Sequence, residues 1–551
     1  MMRPRAAMAG LDFGAWSLVG AWLLVVATIA LQALPSGDLA GSWAAAGVFG
    51  LFGWLAWFGT PDRFVAPRAA LVAGVGVRVG LATGGDPALI LVAGMLLVAT
   101  LADPVVAQLF RVVVAAHNLA GVPHPVVGGG PFARWVSPLG VLLVLWQRLS
   151  LGGWLLALLS LVTLVAVAGW TLTRARGIRV RGGVERVGAA LRDYRPRFAV
   201  YFSGKPDGAY QVAMWLPYLE RTGCRYLVIV RDEAALPVLG AVTEAPVVFV
   251  RSLEAHQHVM VDSLGAVFYV NNEPRNVNGV RFLGVTHVHL GHGDSDKPAS
   301  YSPTFAMFDR VFVAGQAAID RFAAHGVMVP QEKFVIVGRP QAEAIECLPD
   351  GSRPSVRAVL YAPTWRGGLK DMALGSLGVG EAIVAGLLSR GVQVWFRPHP
   401  YSWRDPRAVA WIAAIDGLLA AAGNGCRPSG ATATRSITEC FNATDALVTD
   451  VSSVATDYLA TRKPLAIVDL AGDSAACRRA HPVARVAYLL SPPEGLAAGL
   501  DALLGPDPLA GAREAARRHY LGDAPADGHA DLFVAAAREA IDNAIGRARR
   551  G

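Results

Sequence analysis

FAVYFSGKPDGAYQVAMWLPYLERTGCRYLVIV, residues 198–230, holds three elements in a row. An apolar run from Phe198 to Phe202 passes through a Gly/Pro-bearing turn into an amphipathic stretch, Ala209 to Arg221, and then into a second apolar run, Tyr226 to Val230. Short apolar runs bounded by turn residues read as buried strands, and the 3.6-residue period between them reads as a covering helix. Strand, helix, strand in that order predicts a parallel sheet with helices on its faces.

Toward the carboxyl end the rhythm continues through Val247 to Val250, Ala266 to Val270, Val285 to Leu290, Arg310 to Ala314 and Lys333 to Val337. A segment bearing Pro, Gly and Ser, Leu348 to Ser355, reads as a linker. A second series then starts, with Ala358 to Tyr361, Gln393 to Arg397, Ala446 to Thr449 and Leu465 to Val468 as strands and Glu381 to Ser389 as a helix. The expected architecture is two Rossmann-like domains, 176–350 and 351–551, the second ending in a basic helical tail. They face one cleft, with the ligand outside the carboxyl ends of the strands.

Toward the amino end the composition changes. Gly14 to Leu34 has no ionisable residue, Gly41 to Gly59 carries Trp43, Trp54, Trp57 and Phe58 near its ends, and Ala69 to Gly84, Ala88 to Leu101, Val136 to Trp146 and Gly152 to Leu172 are further apolar stretches. About 20 apolar residues cross the hydrocarbon of a bilayer. Residues 1–175 are therefore expected to form a multi-span transmembrane α-helical region of six spans, or four, ahead of the α/β portion. A secretory signal is disfavoured because no cleavage site opens onto a soluble domain. Arg3 and Arg5 before the first span and Arg174, Arg176, Arg179 and Arg181 after the last predict a multi-pass cell-membrane protein with its catalytic domains cytoplasmic. Arg111, His117 and His124 read as part of a loop rich in Gly and Pro.

The formal charge is +8 over 551 residues, and no zinc-finger spacing or RNA-binding signature accompanies it, so nucleic acid is not an expected partner. The arginine clusters suit anionic lipid or phosphate. Five cysteines, odd in number and without a CxxC pair, argue against a disulfide framework or a structural metal.

Four polar turns follow predicted strands. In Thr286-His287-Val288-His289-Leu290-Gly291-His292-Gly293-Asp294-Ser295-Asp296-Lys297 the histidine at 292 lies between glycines, where a neutral imidazole can take a hydroxyl proton. A metal site or a structural turn is the alternative there. Val359 to Gly368 runs from a strand into Pro363, Thr364, Trp365 and Arg366, of which Arg366 can pair with phosphate oxygens and Thr364 can donate a hydroxyl hydrogen bond. Arg397-Pro398-His399-Pro400 fixes His399 between two prolines, placing it to stabilise a transferring phosphate, with a helix-capping role as the alternative. Asp450-Val451-Ser452-Ser453 ahead of Asp457 suits a diphosphate cradle, although serines there also serve as N-caps.

Taken in this order, the His-Gly turn, Tyr-Ala-Pro-Thr-Trp-Arg, Arg-Pro-His-Pro and Thr-Asp-Val-Ser-Ser resemble the CDP-glycerol glycerophosphotransferase family, the teichoic-acid primases and polymerases, over about Phe198 to Leu470. The resemblance implies a fold similar to two-domain GT-B glycosyltransferases and transfer of a polyol phosphate from a CDP-polyol, releasing CMP, to a lipid-linked or polymeric envelope acceptor. It implies that His292 is the base. Arg397, His399, Asp450, Ser452 and Ser453 become the donor and phosphate set, joined by Thr364, Arg366 and Asp457, while Gly293, Asp294 and Lys297 lie on the acceptor side. No cofactor and no metal are expected. The turn reads Leu-Gly-His-Gly-Asp-Ser-Asp-Lys where many relatives have an aromatic residue before the histidine and Thr-Pro after the glycine. A GT-B glycosyltransferase using a nucleotide sugar and a non-catalytic membrane scaffold or polymer exporter are the competing readings.

Overall fold

The computed structural model describes residues 113–122, 162, 165, 169, 183–349, 352, 355–365, 374–423, 425–523 and 530–548. The chain divides into two compact units, and both sheets, apart from Val114 and Ala115, and the cleft below belong to the second, Ala116–Val122 with Val187–Gly551.

The first sheet has eight strands: β1 (Val114–His117), β2 (Phe198–Phe202), β3 (Tyr226–Val230), β4 (Val247–Val250), β5 (Ala266–Tyr269), β6 (Thr286–His289), β7 (Arg310–Val313) and β8 (Phe334–Ile336). Their order is β1-β4-β3-β2-β5-β6-β7-β8, and every pairing from β2 to β8 is parallel. The second sheet holds β9 (Ala358–Ala362), β10 (Gln393–Phe396), β11 (Ala446–Thr449), β12 (Leu465–Val468) and β13 (Tyr488–Leu490) in the parallel order β10-β9-β11-β12-β13. All five residues of β2, β3 and β9 are buried. Covered on both faces, such strands need continuous apolar runs rather than alternation, which is why the sequence marks them.

The strand order reverses between β2 and β5 in the first sheet and between β9 and β11 in the second. Loops leaving the carboxyl ends of such a pair diverge and open a crevice.

The expected transmembrane region, and with it the multi-pass cell-membrane localisation, is corrected: among the described residues no helix is long and apolar enough to cross a membrane. The candidate spans lie outside the described residues, apart from positions 162, 165 and 169. Where residues 1–175 are described around His117, the expected loop is β1, an edge strand of the first sheet. At about 3.3 Å per residue its four residues reach less than half of a hydrocarbon layer. Their apolarity serves sheet burial instead. Asn118 then ties the segment down, its amide nitrogen donating to the carbonyls of Gly240 at 3.0 Å and Thr243 at 2.6 Å.

The helix expected over Ala209 to Arg221 is two short ones, Tyr210–Ala213 and Leu216–Glu220, because Pro217 has no N–H to continue the first and sits where a new helix can begin. A helix in the second sheet's series, α1 (Ser453–Tyr458), follows β11. The last helix, α2 (Asp531–Ala548), returns to the first sheet. Its Phe533 stacks on Trp215 at 5.1 Å between ring centroids, and Arg538 donates to the carbonyls of Arg221 and Thr222. Gly265 permits this approach, since a Cβ there would fall 1.9 Å from the carbonyl oxygen of Ile541.

Candidate functional site

The carboxyl ends of the two sheets share a cavity of about 940 Å³. The loops after β5, β6 and β8 form one wall, and those after β9, β10 and β11 form the other. His292, Gly293, Asp294, Lys297, Thr364, Arg397, His399, Ser452, Ser453 and Asp457 all line it. Arg366 lies outside the described residues, and Asp450 sits beneath the lining.

β6 ends at His289, and Gly291, at φ 66°, turns the chain into His292. The His292 Nδ1–H donates to the Val270 carbonyl at 3.1 Å, so in the neutral ring Nε2 carries the lone pair. Enclosure by protein holds the His292 pKa below its ordinary value, with the Arg339 charge adding to the fall and the Val270 bond opposing it. His287 and His289 are structural. His287 bridges the Tyr269 hydroxyl and the Phe282 carbonyl, and His289 donates to Asn272 Oδ1 at 2.6 Å. Among the described residues no group of His, Cys, Asp or Glu is placed to hold a metal.

The two carboxylates after His292 are taken up by Arg321, which reaches both Asp294 and Asp296. Asp296 also accepts from the Tyr520 hydroxyl at 2.9 Å and from the Val483 N–H at 3.0 Å, joining the two sheets' halves of the molecule. Gly293 lies against α1: a Cβ there would come 2.8 Å from Ser453.

Across the cavity, the His399 Nδ1 accepts from the Tyr401 N–H at 3.1 Å, so its ring proton is on Nε2. Burial first, then the Lys297, His292 and Arg404 charges, push the His399 pKa down to about 4. Near neutral pH His399 therefore presents an uncharged N–H donor. Lys297, read as an acceptor-side residue, spans to the opposite wall, where Nζ donates to Thr364 Oγ1 at 3.1 Å. Burial lowers its pKa, opposed by the nearby Asp450.

Asp450 is a scaffold. Its Oδ2 accepts from the N–H groups of Thr364 at 2.7 Å and Ser376 at 3.1 Å, and burial raises its pKa to about 6 against those bonds. Arg397 is likewise anchored, on the carbonyls of Thr432 and Arg435. Asp457 is held bidentately by Arg339 at 2.8 and 2.9 Å, so its carboxylate cannot repel or coordinate a ligand freely. Ser452 occupies the N-cap position of α1 but makes no capping bond, and its Oγ is buried without a hydrogen-bond partner.

Arg339 is the site residue that sequence reading passed over. Gly338-Arg339-Pro340 follows β8 as a polar Gly/Pro turn, the same signature that singled out the other loops. The assembled chemistry is asymmetric. The wall that carries His292 offers a neutral base and an ammonium that reaches across, and the other offers hydroxyls and an N–H donor, a set suited to phosphate oxygens.

Residues 347–470 match the family model described as CDP-Glycerol:Poly(glycerophosphate) glycerophosphotransferase. Matching solved structures include the wall teichoic acid polymerase TagF, at 16% identity and TM-score 0.43, covering 68% of this chain and 97% of that one. S. aureus MnaA, in a co-structure with UDP, matches at 11% identity and TM-score 0.37, covering 61% and 95%. No curated protein matches. The family match spans the loops after β9, β10 and β11 and leaves His292 outside it.

Proposed function

We propose, from the premise that this chain is a CDP-glycerol glycerophosphotransferase-like enzyme, that it moves a polyol phosphate from a CDP-polyol, with glycerol phosphate the first choice, to a hydroxyl of a polymeric or lipid-linked acceptor. His292 Nε2 takes the proton of the acceptor hydroxyl. The oxygen attacks the β-phosphorus in line, its bond to the bridging oxygen breaks, and CMP leaves with that oxygen. The phosphate oxygens gather charge as this happens. The His399 Nε2–H, the Lys297 ammonium and the Ser452 and Ser453 hydroxyls hold them, already oriented by the loops that carry them.

The observation that carries this reading is the opposed pair of imidazoles on one cavity, His292 with its proton on Nδ1 and His399 with its proton on Nε2. Purified full-length protein supplied with CDP-glycerol or CDP-ribitol and a hydroxyl-bearing acceptor oligomer is expected to release CMP. No release with any CDP-polyol would discard the proposal.

A further inference from the structure

We propose that Asn271 and Gln211 form the acceptor subsite, binding the neutral, hydroxyl-bearing end of the acceptor beside His292; this rests on the transfer reading above. Asn271 stands at the end of β5, at the reversal point of the first sheet's strand order. The residue before it, Val270, supplies the carbonyl that fixes the His292 ring. The subsite and the base therefore share one stretch of backbone.

Asn271 is only 4% exposed, lines the cavity, and has its Oδ1 buried without a hydrogen-bond partner. Its Nδ2 donates to Gln211 Oε1 at 3.3 Å. The loop is held rigid, because the Asn271 carbonyl accepts from Asn276 at 2.6 Å and Asn276 in turn accepts from the Ser203 hydroxyl at 2.9 Å. Buried polar atoms in folded proteins are nearly always paired, so an orphan acceptor on a residue that lines the cavity marks where a donor belongs.

The chemistry around it selects the donor. Carboxamides and two rings make this part of the wall: Tyr210 is edge-on to His292 at 6.3 Å, and the Trp215 Nε1–H holds the Gly291 carbonyl at 2.8 Å. The next charged group along the loop is the carboxylate of Glu273, which disfavours a phosphate terminus. The cavity's cations, Lys297, Arg339 and Arg397, come from other loops. A hydroxyl donating to Asn271 Oδ1 suits a polyol or sugar terminus, whereas a phosphomonoester end brings oxygens that only accept once ionised.

The experiment measures CMP release by full-length protein against acceptor concentration, for Asn271→Ala and Gln211→Ala. The acceptors are a glycerol-terminated glycerol phosphate oligomer, the same oligomer ending in a phosphomonoester, and a glycoside-terminated oligomer. Asn271→Ala is expected to raise the acceptor KM about tenfold, the scale of one lost hydrogen bond. Thermal protection by CDP-glycerol and slow CMP release to water are expected to stay at wild-type levels. The phosphomonoester-terminated oligomer is expected to be inert, and whichever hydroxyl terminus shows the KM rise identifies the acceptor. An unchanged acceptor KM in both variants, with wild-type turnover intact, overturns the subsite. A wild-type chain that neither binds CDP-glycerol nor releases CMP overturns the transfer reading instead. If Asn271→Ala does not fold, Asn271→Ser and Gln211→Ala carry the same comparison.

Discussion

A backbone carbonyl can only accept and a backbone N–H can only donate, so Val270 and Tyr401 leave the two cleft imidazoles with their protons on opposite nitrogens. His292→Ala is expected to cut turnover by about 10² to 10⁴, the usual worth of a general base, with CDP-glycerol binding retained. Because the His292 pKa is lowered, its basic form persists into more acid solution than that of an ordinary histidine, so the acid limb of kcat/KM is expected below about pH 6.5. A limb above that value would remove His292 from the role. His399→Gln keeps a side-chain N–H and is expected to retain more activity than His399→Ala, which a steady-state comparison checks. The glycines and prolines around 292 and 399 made these residues legible in sequence, since such turns end strands at ligand-facing loops. The partners of Asp450 and Asp457 were not legible. Whether a carboxylate meets a ligand or a buried guanidinium depends on residues over a hundred positions away, as with Arg339 and Asp457.

Strands and turns bring the two walls together, and the tightest meeting is between the β6 turn and the start of α1. A methyl on Gly293 would overlap the Ser453 side chain, so Gly293→Ala is expected to push the turn off α1 and shift His292 relative to the phosphate-holding serines. Displacements of this kind cost about 10² in rate even without loss of a reacting group. Adding Ser453→Gly is expected to restore activity to that of Ser453→Gly alone, a coupling that a double-mutant cycle reads directly. Strictly additive losses would refute the steric account. At this scale the sequence was most readable where strands are buried on both faces, as in β2, β3 and β9. β13, Tyr488–Leu490, was not marked in the sequence. β1 escaped because it sits inside a long apolar region and neighbours a strand, β4, more than a hundred residues ahead.

Over the whole molecule, buried neutral histidines tie stability to pH. His256 and His399 are held at about 4 and His289 at about 3, chiefly by burial. Between those values and the unfolded value of about 6.5, the unfolded chain binds more protons than the folded one, so stability rises with pH across that window. Their contribution is complete above about pH 6.5 and is lost as pH falls toward 4. Asp450, raised to about 6, acts in the opposite sense between about pH 6 and 4, as does the raised Glu233, but burial also lowers His287, His292 and His481, so the histidines prevail. The melting temperature is expected to be level above pH 7 and to drop steadily below 6.5; a flat profile down to pH 5 would contradict this.

The second charge device at this scale is the Arg339–Asp457 pair, which joins the loop after β8 to α1 across the cavity, with Arg339 5% exposed. Removing one partner of a buried pair strands the other charge, and the usual cost is about 3 to 5 kcal/mol. Asp457→Ala should therefore lower the unfolding midpoint markedly and leave an unpaired guanidinium facing the site. Replacing both residues, as Arg339→Met with Asp457→Leu, is expected to recover most of that stability, because no charge is then left buried alone. Activity is not expected to recover, since the pair also fixes α1, and with it Ser452 and Ser453, against the wall that carries His292. Chemical denaturation together with CMP release separates the two effects: stability regained without turnover supports a positioning clamp, and turnover regained in the apolar double variant would reduce the pair to a structural tie.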